Sequence, residues 1–242
     1  EGFIITGSTT SFGAGSSDVL FIKTDSSGNQ TWIKTFGGTE GDNCKSVEQT
    51  KDSGYIIAGV TESYGAGYSD VWLIKTDING YEEWNKTFGG VGYDEGYSVQ
   101  QTTDGGYIIT GFTSATNDYQ ITDLWLIKTD NNGIEEWNKI FSGTKPDYGW
   151  SVQQTTDGGY IITGIHSGDT GWDLWLIKTD NNGIEEWNKI FGSDSGLDRA
   201  WSVKQTTDGG YIVAGVTSSY GAGDGDVWLI KTDEFGNVDG VK

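Results

Sequence analysis

The sequence predicts an all-β chain, a β-propeller of five four-stranded antiparallel blades, and three observations predict it. A block reading GFII at Gly2, GYII at Gly54, Gly106 and Gly159, and GYIV at Gly210 recurs at intervals of 51 to 53 residues. Each interval carries four short apolar stretches rich in Val, Ile, Thr, Trp and Tyr, which is strand chemistry in segments too short for typical helices. Thirty-nine glycines and a single proline, Pro146, suit many tight turns between unbroken strands. Four antiparallel strands in a repeat of about 50 residues is the signature of a propeller blade.

The inner strand of each blade is assigned to SV.QT, starting at Ser46, Ser98, Ser151 and Ser202. It is small and mixed in polarity, which suits a crowded, wet channel. GYIITG is the second strand. The third starts at Asp18, Asp70, Asp123, Asp173 and Asp226, and reads DVLFIKTD or D[VL]WLIKTD. Both are apolar on two faces, as strands packed between neighbouring blades must be. The outer strand is marked by Trp32, Trp84, Trp137 and Trp187, with Val241 in that place at the end. Its Glu, Asn and Lys residues suit a rim. TDGG after the inner strand is a hairpin signal, and TDNNG after the third suits a type I turn closed by a left-handed Gly. Residues 123–141 and 173–191 are identical over nineteen positions. The chain is read as one domain, 1–242, with repeats at about 1–44, 45–96, 97–149, 150–200 and 201–242. The first blade lacks an inner strand. Either the sequence is a piece of a longer chain, which is the simpler reading, or a partner's strand fills the gap.

Thirty-five acidic residues against fifteen basic ones give a net charge of −20. Such a field repels phosphate backbones and anionic lipid, so nucleic-acid and membrane-surface partners rank low. One cysteine, Cys44, allows no internal disulfide. No apolar run reaches the ~18 residues of a membrane helix.

The layout D.G.SV…DGGYIITG.T……D.WLIKTD..G…W.KTFGG, spanning the whole chain, resembles the bacterial and archaeal beta-propeller repeat family of secreted and cell-surface proteins. More loosely, it is similar to WD-repeat blades. The resemblance implies the propeller architecture and an extracellular or cell-surface location. It implies no activity, because that family carries no shared catalytic motif.

This strand order sorts the loops onto two faces, and one of them should carry rings of carboxylates. Asp42, Asp94, Asp147 and Asp198 lie four positions before the SV serines; Asp18, Asp70, Asp123, Asp173 and Asp226 end the other loops. Recurrence at every blade favours loop-shaping hydrogen bonds. Ca²⁺ at Asp42, Asp94, Asp147 and Asp198 is the only cofactor the pattern suggests, and it is short of ligands. Paired-carboxylate glycoside hydrolysis is the third reading. Phe12, Tyr64, Tyr68, Tyr119, Trp172 and Tyr220 are candidate ligand-binding aromatics, for glycans or protein partners. The tryptophans of the third and outer strands, Trp72 and Trp84 among them, are read as structural. A three-residue turn loop sets Lys75 opposite Glu83 and Trp72 opposite Lys86, with Lys128–Glu136 and Lys178–Glu186 alike, as rim pairs. His166, where other repeats have Thr, is read as a loop residue, and Cys44 as a small packing residue. Asn29 and Asn85 head glycosylation sequons. Near-identical repeats without a singular polar constellation point to a non-enzymatic structural or interaction module, with other protein chains, copies of itself or glycans as partners. A lectin is the alternative, and a glycoside-active enzyme follows it.

Overall fold

The computed structural model describes residues 2–116, 118–119, 121–143, 145–168, 171–193 and 196–238. They form eighteen strands in five antiparallel sheets, each ordered as the chain runs. The first sheet holds β1 (Ile4–Thr9), β2 (Asp18–Thr24) and β3 (Gln30–Phe36). The second holds β4 (Asp42–Gln49), β5 (Tyr55–Thr61), β6 (Asp70–Thr76) and β7 (Glu82–Phe88). The third holds β8 (Glu95–Gln101), β9 (Tyr107–Thr113), β10 (Asp123–Thr129) and β11 (Glu135–Phe141). The fourth holds β12 (Asp147–Gln154), β13 (Tyr160–Ser167), β14 (Trp172–Thr179) and β15 (Glu185–Phe191). The fifth holds β16 (Arg199–Gln205), β17 (Tyr211–Thr217) and β18 (Asp226–Thr232). A single bridge from Thr232 to Val238 begins its outer edge, and Val241 lies outside the described residues. The arrangement is propeller-like, and the first sheet lacks an inner strand as the repeats predict.

The turns follow their chemistry. Asp77 Oδ1 accepts the amides of Asn79 and Tyr81, each at 2.8 Å, and Gly80 closes the turn at φ 74°. The left-handed backbone there is why the position is glycine. This closure shifts the register by one between Lys75 and Thr76. Lys75 therefore stands opposite Trp84, not Glu83, and Trp72 opposite Thr87, not Lys86. Lys128 and Lys178 likewise stand opposite Trp137 and Trp187. The ammonium still reaches Glu83 on the diagonal at 2.8 Å and Asp52 of the inner hairpin at 2.9 Å. These lysines are buried, about 3% exposed, so they are internal ties between two turns and not rim pairs.

Neighbouring sheets pack through apolar faces. Val71 and Leu73 of one sheet meet Val99, Tyr107 and Ile109 of the next. Leu124 and Leu126 meet Val152, Tyr160 and Ile162 in the same way. Outer-strand tryptophans belong to these junctions: the rings of Trp84, Trp137 and Trp187 lie 5.8 Å from Tyr107, Tyr160 and Tyr211 of the following sheet. The inner strands are laced together by side chains. Val99, Val152 and Val203 donate backbone N–H groups to Ser46, Ser98 and Ser151 Oγ at 3.3 Å. Gln101, Gln154 and Gln205 donate to Glu48, Gln100 and Gln153 at 2.6–2.7 Å. At the two ends of the series the packing faces stay open. Val227 and Leu229 are 92% and 66% exposed, where Val71 and Leu73 are buried.

Candidate functional site

The loop connecting second and third strands in one sheet meets the loop entering the inner strand of the next. Parallel bridges Ser17–Gly41, Ser69–Tyr93 and Trp172–Leu197 fix that meeting. The predicted carboxylates lie at its base; Asp18, Asp42, Asp70, Asp94, Asp147 and Asp198 are buried and Asp123, Asp173 and Asp226 are half-buried, instead of ringing the surface. Asp42, Asp94, Asp147 and Asp198 are 0% exposed. Asp42 accepts the Gly38 amide at 2.8 Å, the Ser63 hydroxyl at 2.6 Å and the Thr61 hydroxyl. Asp198 is held by Thr217 and Ser219, and Asp94 accepts the Gly90 amide at 2.8 Å. Asp147 accepts the Gly143 amide at 2.7 Å and lies 2.8 Å from His166 Nδ1. His166 therefore sits in β13, opposite Asp147, and does there what Thr61 and Thr217 do elsewhere. Among the described residues, no cluster of three or more Asp, Glu, His or Cys could hold a metal ion.

Each of these carboxylates also meets one from the preceding sheet. A methyl group placed on Gly89 would lie 2.3 Å from Asp70 Oδ1 and 2.6 Å from Asp94 Oδ2, so the two side chains converge on that glycine. Gly192 separates Asp173 and Asp198 similarly. Burial, with the Asp94 charge added, pushes the Asp70 carboxyl up to about 6 from 3.8. Burial and Asp147 raise Asp123 too. A carboxyl whose folded value is raised favours the fold below its free value of 3.8, and loses that contribution as the pH rises through about 6. Asp70→Asn keeps an acceptor for the Ala66 amide and removes the charge. Urea unfolding at pH 7.5 is expected to show a gain of about 1–2 kcal/mol, and at pH 4 almost none.

Three of the predicted aromatics are drawn into one run above these pairs. Tyr68 lies 5.0 Å from Tyr93, and Tyr93 stacks on Tyr119 at 3.9 Å. Tyr119 lies 5.9 Å from Phe112, Phe112 5.1 Å from Tyr148, and Tyr148 stacks on Trp172 at 5.7 Å. The Arg199 guanidinium stands 5.7 Å over Trp172. Glu95 sits in the middle of the run, accepting the Tyr119 hydroxyl on Oε1 at 3.2 Å and the Tyr97 hydroxyl on Oε2 at 3.1 Å. Burial and the Glu95 charge raise both phenols, so they stay protonated donors. Glu62 also bears on Tyr119, adding to that rise. Tyr97 in turn stacks on Trp150 at 4.5 Å. The indole N–H of Trp150 and the Nε of Arg199 are buried donors with no partner among the described residues.

The other predicted residues lie elsewhere. Tyr64 and Tyr220 turn back into the fold, donating to the carbonyls of Gly37 at 3.0 Å and Gly192 at 3.3 Å with their rings against Trp72 and Trp228. Phe12 is 63% exposed, away from the run. Asn29 donates to Asp25 in a turn. Asn85 accepts the Trp72 indole N–H at 3.2 Å, as Asn138 and Asn188 do for Trp125 and Trp175 without a sequon. Cys44 lies within β4 opposite Gly59, and burial pushes its thiol up to about 11, which keeps it protonated and unreactive at neutral pH. On the opposite face, a shallow cleft between the third and fourth sheets is lined by Asp104, Lys128, Glu136, Trp137 and Asn182. Its charged groups are already paired with one another.

No protein-family model matches the chain, and no curated protein matches it. Solved structures do. The endo-arabinase of Bacteroides thetaiotaomicron is similar over 96% of this chain and 94% of its own, with 10% identity and a TM-score of 0.50. The β-1,2-mannobiose phosphorylase of Listeria innocua is similar over 90% of this chain and 67% of its own, with 14% identity and a TM-score of 0.46. The likeness is one of fold: an all-β, propeller-like arrangement of antiparallel sheets shared with an enzyme, the arabinase. This overturns the expectation of a non-enzymatic module, and with it the reading that the chain is no enzyme. That expectation rested on repeat symmetry, yet a fold of the same kind carries catalysis in the arabinase, and the run around Glu95 breaks the symmetry here.

Proposed function

We propose that the chain is carbohydrate-active: it holds a glycan on the accessible rings of the run between Tyr68 and Trp172, in which Phe112 is buried, and acts on it at Glu95. The observation that carries this is the run itself, with a carboxylate oriented by two phenols at its centre. Pyranose and furanose rings present apolar C–H faces to aromatic rings, while their hydroxyls need donors and acceptors at the edge. Glu95 and Arg199 supply those. The net charge of −20 disfavours polyanionic glycans and suits neutral ones. Glycosidic hydrolysis uses two carboxyl groups, one protonating the leaving oxygen, the other activating water or attacking the anomeric carbon. Glu95, which accepts the Tyr119 hydroxyl, and Glu62, whose charge also bears on Tyr119, are assigned to that pair.

The test is a panel of neutral polysaccharides that includes arabinan and mannan, read for binding by affinity electrophoresis and for cleavage by reducing-end release. Trp172→Ala and Tyr119→Ala are each expected to weaken binding by ten- to a hundredfold, about 1–3 kcal/mol. Glu95→Gln is expected to keep binding and lose cleavage by at least about a hundredfold. Binding without cleavage in the parent protein sinks the catalytic half, and no binding by any glycan sinks both.

A further inference from the structure

We infer that Arg199 forms a carboxylate subsite at the Trp172 end of the aromatic run, and that the glycan held there carries one acidic sugar, a uronic acid, in an otherwise neutral chain. This rests on the glycan reading of the run and adds a substrate class to it.

Arg199 is the only arginine in a chain with thirty-five acidic residues. In such an excess an arginine is expected to find a carboxylate. Among the described residues its guanidinium makes no ion pair and no hydrogen bond; it stands over the Trp172 ring at 5.7 Å, with its Nε enclosed and unpartnered. The neighbouring carboxylate in the chain, Asp198, is taken up by the hydroxyls of Thr217 and Ser219. The backbone holds the arrangement. The Asp198 amide donates to the Trp172 carbonyl at 2.6 Å, and Leu197 bridges Trp172, so the heads of β14 and β16 are tied together. Trp172 in turn stacks on Tyr148, their planes within 11° of each other.

An arginine laid over an aromatic face keeps its N–H fork in the guanidinium plane, and the stacking removes part of the cost of ordering it. A carboxylate meets that fork with two parallel, charge-assisted hydrogen bonds. A sugar hydroxyl offers neither the second oxygen nor the charge.

The place of Arg199 in the repeat adds direction. It stands opposite Val216 as Glu95 stands opposite Phe112, so the two hold one repeat position two sheets apart, with Tyr148 holding it in the sheet between. The charges of Glu95 and Glu62 bear on Tyr119, and the arginine lies at Trp172. An acidic sugar is repelled from the first point and drawn to the second, which sets the direction in which the glycan lies. A polyuronate would meet the whole field of a chain charged −20; a single carboxylate needs only the fork.

The probes are mannopentaose and arabinopentaose, each also with the primary alcohol of its non-reducing sugar oxidised to a carboxylate, and each acid also as its methyl ester. Kd is read by titration at low ionic strength. In at least one series the acid is expected to bind about tenfold more tightly than the neutral sugar and the ester, and added salt should shrink that preference. Arg199→Met should bring the ratio of acid to ester to about one. Arg199→Lys, which keeps the charge and loses the fork, should leave it at about threefold or less. An acid that binds no better than its ester, in a series whose neutral member binds, overturns the inference and leaves the glycan reading standing. An acid preference that survives Arg199→Met, in a variant that melts as the parent does, puts the carboxylate elsewhere and overturns it too. If no probe and no polysaccharide binds, the glycan reading falls and this inference falls with it.

Discussion

Gly111→Ala is expected to cost about 3 kcal/mol or more in urea unfolding, while Gly7→Ala costs nothing measurable. The two glycines hold the same place in the repeat. A methyl on Gly111 would lie 1.8 Å from the Glu95 carbonyl and 3.0 Å from the Gly96 Cα. Both obstacles are backbone, so no rotamer change relieves them, and β8 must separate from β9 or twist. The inner strand is bulged at this point, pairing Gly96 with Gly111 and then Ser98 with Thr110. That bulge sends Tyr97 towards Trp150 and sets Glu95 at the head of the strand. Loss of glycan binding should therefore accompany the loss of stability. Gly7 has open space at its Cβ, and Ala there should be neutral or slightly stabilising.

Lys128→Met is expected to destabilise by about 2–3 kcal/mol, and Lys231→Met much less. Lys128 is buried, with its ammonium 2.9 Å from Asp104, 2.8 Å from Glu136 and 2.9 Å from the Thr129 carbonyl. Removing it leaves two carboxylates facing each other and a carbonyl without its donor. Both carboxylates keep about half their exposure, and water screening holds the cost below that of a fully buried pair. Lys231 makes the matching contact to Asp208 at 2.9 Å, but its side chain is 44% exposed. The same substitution also alters acid behaviour. Burial works against the Asp104 charge, but the Thr102 hydroxyl, Lys128 and the Gly106 amide outweigh it and hold the carboxyl at about 2. A depressed carboxyl stabilises above its free value near 3.8 and loses that contribution as the pH falls through about 2. Melting followed from pH 5 to pH 2 should fall less steeply in Lys128→Met than in the parent.

Strand order and turn chemistry were legible because they are local. Alternation, a leading Asp and a closing Gly act within a few residues, and the five sheets follow them. The pairing of Lys75 was misplaced by one residue because the turn closes through a left-handed Gly80 and a register shift, which spacing alone does not reveal. The carboxylates were assigned to the correct ends of their strands but to the surface. Their burial arises where two sheets meet, and the convergence of Asp70 and Asp94 on Gly89 joins residues from different repeats. The candidate site is not carried by what repeats. Its signal lies in what does not: between the buried Asp and the SV block the chain reads NCK at Asn43, EGY at Glu95, YGW at Tyr148 and RAW at Arg199. Those are the positions that carry Glu95, Tyr97, Tyr148, Trp150 and Arg199. Tyr68, Tyr119 and Trp172 could be named from exposed-aromatic chemistry, but the residues linking them could be found only through the fold.

The hydroxyl lacing of the inner strands has a direction. Ser46 serves the Val99 amide, Ser98 serves Val152, and Ser151 serves Val203, always from one sheet to its successor. Proton exchange along the inner strands should record that polarity as a staircase. The Val47 amide, first in the series, should trade its hydrogen for deuterium soonest, with Val99, Val152 and Val203 following more slowly. Ser98→Ala should hasten exchange at Val152 one sheet downstream and leave Val99, one sheet upstream of it, at its former rate.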